Sequence, residues 1–136
     1  MRSLHSEKMK EIYLDNAATT KLDESVLKSM LPYFTEKYGN ASSVHLKGNE
    51  AKKALEESRR TIAKSINATQ NEIIFTSGGT ESNNIALKGL FFSNYPEKNH
   101  IITTKTEHAS VFNACKWLEK QGAKVSYLNV DEEGFV

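Results

Sequence analysis

A single cysteine, Cys115, stands in the whole of this 136-residue chain. One thiol excludes an internal disulfide framework and an all-cysteine zinc site. His45, His100 and Cys115 have no metal-ligand spacing, and HExxH is absent, so no metal site is expected. Proline is scarce, with two residues, and no linker, repeat or low-complexity tract divides the chain. No apolar run is long enough to span a bilayer. The polar stretch Met1 to Lys10 lacks the apolar region of a signal peptide. Neither sign of charge dominates: 18 Lys+Arg against 17 Asp+Glu leave a net charge of +1. Composition thus makes no case for nucleic acid or an anionic membrane as a partner. These absences lead to the expectation of a cytoplasmic protein.

What is present has a globular balance, 38% hydrophobic and 26% charged, at the length of one ordinary domain. Glu11 to Leu14 reads as a short strand, and Asp15 to Thr20 (DNAATT) as a loop. Val26, Leu27, Met30, Leu31 and Phe34 predict a helix over 23–37, which Pro32 should kink. Gly39 is expected to close that helix, and Asn40 to turn the loop YGNASSVH, residues 38–45. A second helix is predicted from Asn49 to Ile66, with Ala51, Leu55, Ile62 and Ile66 as its buried stripe.

Beyond residue 70 the pattern alternates. Strands are predicted at EIIFT (72–76), HIITT (100–104) and KVSYLNV (124–130). Helices are predicted at Thr80 to Phe92 and at Ala109 to Gln121, the latter closed by Gly122. This order signals βαβ units, an α/β class and a parallel sheet. The chain stops at Asp131 to Val136, where a further turn and helix are expected, so the sheet reads as unfinished.

Two turns carry candidate chemistry. At Ser77-Gly78-Gly79-Thr80 a strand gives way to a helix. Glycine lets backbone N–H groups approach a ligand, and a helix start offers unpaired N–H groups and a positive dipole end. These suit a phosphate, with the Thr80 hydroxyl as one more donor. A plain β-to-α turn with a Thr cap and no ligand is the other reading. The string is neither a P-loop nor GxGxxG, although Glu107 sits where a ribose-binding acid could sit. His108 follows the second strand, at the end of the sheet where ligands collect, and could stack on a ring or move a proton. Its other reading is a helix-starting histidine bonded to backbone. Cys115, mid-helix beside Ala114, reads as a buried structural thiol.

Four segments occur in an informative order: YLDNAATT (13–20), YGNASSVH (38–45), FTSGGTESNN (75–84) and IITTKTEHASV (101–111). With them the chain, from about Ile12 to Val136, resembles the cysteine desulfurases of the NifS/IscS type. These are fold-type-I enzymes of the class V aminotransferase group that depend on pyridoxal 5′-phosphate (PLP). The resemblance implies the first part of the large PLP-binding domain, a parallel-rich sheet flanked by helices and incomplete in this chain. It implies an N-terminal arm and substrate-side loop at 1–22 and the large-domain portion at 23–136. It implies that Gly79 and Thr80 hold the PLP phosphate, and that His108 stacks on the pyridine ring and assists proton transfer. Lys105 matches a non-catalytic lysine. Two positions depart mildly from the pattern, Ala41 for a usual proline and Gly79 for a common alanine.

The implied reaction converts L-cysteine to L-alanine and passes sulfur as a persulfide toward iron–sulfur cluster or other sulfur-cofactor assembly. The implied partners are the substrate L-cysteine, a sulfur-acceptor or scaffold protein and, when complete, a second copy in a homodimer. The family's Schiff-base lysine, pyridinium-binding aspartate and persulfide cysteine lie beyond the matched region, so this chain alone is expected to be inactive. Three alternatives stand beside this reading: a selenocysteine lyase or other class V member, a non-catalytic half needing a complementing chain, and a small nucleotide-binding module using Glu107.

Overall fold

The computed structural model describes residues 12–136. Two compact units divide at residue 73: one runs up to Ile73, the other is Ile74–Val136.

The first unit is helical. Asp23 caps helix α1, Glu24–Met30, by accepting from the Ser25 N–H at 2.8 Å. The predicted single helix breaks at Leu31, and α2, Pro32–Thr35, restarts with proline at its first position. Proline has no N–H to continue the ladder, so the apolar spacing holds while the hydrogen bonds do not. Gly39 does not close this helix, which ends four residues earlier. Its role is close approach: a Cβ there would lie 2.3 Å from the Lys47 carbonyl oxygen. Asn40 turns the loop as predicted, its side chain accepting from Ser42 N–H at 2.9 Å.

Helix α3, Leu46–Ser65, begins three residues before the predicted start. Its cap is His45, whose Nδ1 accepts from Gly48 N–H at 3.3 Å. Histidine is not among the usual capping residues, which hid this boundary. The helix ends in a Schellman motif: Ala68 N–H reaches Ala63 O at 2.8 Å and Asn67 N–H reaches Lys64 O at 3.3 Å. Asn67 takes the left-handed conformation this needs, at φ 55°. The predicted stripe is mostly open to water: Ile66 is 63% exposed, and Gly48 and Ala63 are the buried positions.

The second unit contains a βαβ arrangement. Helix α4 is Gly79–Asn94, strand β1 His100–Thr104, helix α5 Ala109–Glu119 and strand β2 Lys124–Leu128. The strands pair in parallel, His100 opposite Lys124 through Thr104 opposite Leu128. Side chains alternate across a strand, so Ile101 and Val125 share one face. There they pack with Leu87 and Phe91 of α4, Leu118 of α5 and Ala123. The other face carries Ile102, 64% exposed. Helix α5 closes as predicted at Gly122, φ +100°, where Ala123 N–H returns to Leu118 O at 3.0 Å.

Two predicted strands do not form. Ile12 to Leu14 is irregular, and Glu11 lies outside the described residues. In the 72–76 stretch, Glu72 ends a short 3-10 turn, Gln70–Glu72, and residues 73–76 join no strand ladder among the described residues. A β-branched, aromatic run favours extended backbone, but a strand also needs a neighbour to bond to, and among the described residues the sheet has only β1 and β2.

Candidate functional site

Residues 77–84 and 108–110 form the site region of the second unit. Helix α4 opens with the Gly78 carbonyl accepting from Ser82 N–H at 3.1 Å. The N–H groups of Gly79, Thr80 and Glu81 therefore lie ahead of the first helical hydrogen bond, with the positive end of the helix dipole behind them. The Thr80 hydroxyl has no partner among the described residues. Among the described residues, and chain neighbours and the helix's own backbone aside, no atom lies within 4 Å of a Cβ built on Gly78 or Gly79. Among the described residues no neighbour thus demands glycine at either position, and the space on the Cβ side of the turn is open.

One end of this turn is already tied down. The Glu81 carboxylate accepts from both the N–H and the hydroxyl of Ser77, each at 2.6 Å. These bonds, the hydroxyl's first, hold the Glu81 carboxyl below its ordinary value. A depressed pKa means that the clamp is complete above the ordinary carboxylate range and is lost as pH falls through the lowered value. Thr76 Oγ1 and Ser82 Oγ, 2.8 Å apart, brace the other side. The N–H groups of Gly79 and Thr80 lie outside both of these braces.

His108 is the N-cap of α5. Its Nδ1 accepts from the Ser110 N–H at 3.1 Å and lies 2.8 Å from the Ser110 hydroxyl. Ser110 in turn receives a hydrogen bond from the Asn83 amide of α4 at 2.8 Å. The two helix starts that sequence singled out are thereby joined, Gly79–Thr80 through α4 and His108 through α5. The sequence reading did not single out Asn83 or Ser110. Both lie inside the quoted motifs, but their contact spans 27 residues and has no local signature.

Other candidates stand apart. Cys115 is fully buried; burial first, and then Glu119 and Glu107, push its thiol above the ordinary value. It stays protonated at neutral pH, which fits the structural reading and not a nucleophile. Lys105 donates its backbone N–H to Leu128 O at 3.0 Å, just past the end of β1. A cavity of about 680 Å³ belongs to the first unit, with Val26, Met30, Tyr33, Ala51 and Leu55 in its walls. It contains none of Gly79, Thr80 and His108. Among the described residues no cluster of His, Cys, Asp and Glu could hold a metal ion, and no helix is long and apolar enough to cross a membrane.

Residues 12–136 match the aminotransferase class-V family. The chain belongs to that family. It is 54% identical over 127 residues to a cysteine desulfurase IscS of Dictyoglomus turgidum, covering 93% of this chain and 32% of the relative. It is 55% identical over 126 residues to a cysteine desulfurase 2 of Trichormus variabilis, covering 93% of this chain and 31% of that protein. Among solved structures, a NifS-like protein superposes with a TM-score of 0.82 at 42% identity, over 90% of this chain and 33% of the other. A second, SspA in complex with cysteine, gives 0.79 at 41% identity over 88% and 34%. The α/β fold is therefore that of NifS-like class-V enzymes, as the motifs implied. The chain spans about a third of the length of the curated relatives it matches. With the family established, the nucleotide-binding reading of Glu107 has nothing left to support it.

Proposed function

We propose that this class-V chain contributes the cofactor-phosphate and ring-stacking part of a PLP-dependent cysteine desulfurase. The observation that carries the reading is the hydrogen-bonded link from Asn83 through Ser110 to His108, which brings the start of α4 and the start of α5 into one region. Cysteine desulfurases among its relatives, and a structural neighbour solved with cysteine, support L-cysteine as the substrate.

The residues fit the cofactor. Backbone N–H groups of Gly79 and Thr80, with the Thr80 hydroxyl, would receive the phosphate at the helix terminus. The His108 imidazole would lie against the ring and handle a proton at Nε2, since Nδ1 is already an acceptor. Bound PLP supplies an electron sink beside the amino-bearing carbon of the substrate, while the protein binds and orients it. The persulfide-forming cysteine is not Cys115, whose thiol is buried and protonated. It belongs, with the cofactor-binding lysine and aspartate, to the remainder of the enzyme.

In this reading residues 1–22 are the N-terminal arm and substrate-side loop and 23–136 the N-terminal portion of the large PLP-binding domain. The enzyme acts in the cytoplasm as a homodimer. It hands sulfur to an acceptor or scaffold protein for iron–sulfur cluster or other cofactor assembly.

Gel filtration with added PLP tests the assignment by following cofactor absorbance and apparent size together. PLP travelling with a compact species supports it; a compact species free of PLP overturns the half-site. In the same assay Thr80→Ala is expected to weaken PLP binding about tenfold, from the loss of about 1–2 kcal/mol for one hydrogen bond to a charged group. Unchanged affinity would remove Thr80 from the phosphate site.

A further inference from the structure

The chain of atoms from Asn83 to His108 has only one consistent direction. The Asn83 amide nitrogen donates to Ser110 Oγ at 2.8 Å. His108 Nδ1 accepts from the Ser110 backbone N–H, so that nitrogen carries a lone pair and no proton. The Ser110 hydroxyl, 2.8 Å from the same Nδ1, must then be a second donor to it. A neutral imidazole has one N–H, which is left on Nε2. Ser110 is 8% exposed, so water hardly competes for its hydroxyl. A serine in that setting, flanked by one donor and one acceptor, is satisfied on both sides.

We propose that Asn83 and Ser110 are positioning residues for His108. They hold its ring and fix its proton on Nε2, and they fasten that imidazole to α4, the helix whose start is read as the phosphate site. This rests on the functional reading above. Neither residue touches cofactor or substrate; both act through His108. The arrangement ties the orientation of the proton-handling ring to the turn read as holding the cofactor, through two hydrogen bonds in series, of which Asn83 to Ser110 crosses between the helices.

The test reads the tautomer directly. On the full chain with 15N-labelled histidine, long-range 1H–15N correlations at a pH where imidazole is neutral distinguish Nδ1–H from Nε2–H. The wild-type His108 is expected to show a single Nε2–H pattern. In Asn83→Asp the side chain only accepts, so it draws the Ser110 hydroxyl proton away from Nδ1 and the Nδ1 and Nε2 shifts move toward each other. Ser110→Ala should produce a shift in the same sense, and Ser110→Thr, which keeps the hydroxyl, should restore the wild-type pattern. In the complete PLP-loaded enzyme, Asn83→Asp and Ser110→Ala are expected to lower kcat about tenfold with KM nearly unchanged, and Ser110→Thr to recover it.

A wild-type His108 protonated on Nδ1 would overturn the proposal. So would shifts that stay the same in both Asn83→Asp and Ser110→Ala. Should Ser110→Ala fail to fold, Asn83→Asp decides alone, because Asn83 is only half-buried and the change preserves shape. The tautomer is read without PLP, so a chain that shows the expected pattern yet never binds PLP defeats the functional reading and leaves the hydrogen-bond polarity standing.

Discussion

Replacing His108 by alanine is expected to lower kcat of the complete enzyme by about 100- to 10,000-fold, the range for loss of a positioned acid–base group. The same change removes the cap of α5, because Nδ1 no longer accepts from Ser110 N–H. Loss of a cap costs about 0.5–2 kcal/mol. The two effects separate with His108→Asn. Asparagine is a strong capping residue, so the helix regains its start, while an amide cannot exchange a proton at neutral pH. Rate measurements on the three enzymes beside their denaturation midpoints check this. Stability should recover in His108→Asn and activity should not. Full activity in His108→Ala would take His108 out of the reaction.

Leu118→Ala is expected to destabilise the second unit by about 2–5 kcal/mol, the range for a large aliphatic deleted from a packed core. Leu118 is 0% exposed, within a core it shares with Phe91 and Ala123, against which Leu87, Ile101 and Val125 also pack. Those neighbours come from α4, both strands and the turn before β2, so the site cannot collapse without moving one of them. Since a domain is stable by only about 5–15 kcal/mol, the loss is a large share of the total. Ile102→Ala is the control: its side chain is 64% exposed and the change should stay within about 0.5 kcal/mol. Urea unfolding of both variants measures the contrast. A Leu118→Ala cost below about 1 kcal/mol would mean that this core is not what holds the unit together.

The βαβ unit was legible because its signals are local. HIITT is β-branched over four successive residues, and Gly122 supplies the positive φ that ends α5. The break at Leu31 was legible as a proline effect, though only as a kink. The strand at EIIFT was misread because β-propensity describes one strand, whereas a ladder is a property of two. The start of α3 was misread because an imidazole stands in for the usual capping oxygen. At the site, Gly79, Thr80 and His108 each begin or precede a helix, which sequence can announce. The Asn83–Ser110 bond is tertiary, and nothing in either residue's own neighbourhood points to the other.

The pairing of β1 with β2 alone also sets a rhythm of amide exchange. The ladder is bounded by Lys124 N–H bonded to Asn99 O at 2.8 Å and Lys105 N–H bonded to Leu128 O at 3.0 Å. In a parallel pair every second amide of a strand points at its neighbour. Counting in twos from those ends, the amides of Ile102 and Thr104 on one strand, and of Val125 and Tyr127 on the other, point away from the pair. Solvent deuterium should therefore enter each strand in a two-beat pattern, fast and slow by turns. A further strand joining either edge would silence the fast beat on that side alone, which makes the exchange pattern a gauge of which edge of the sheet has been extended.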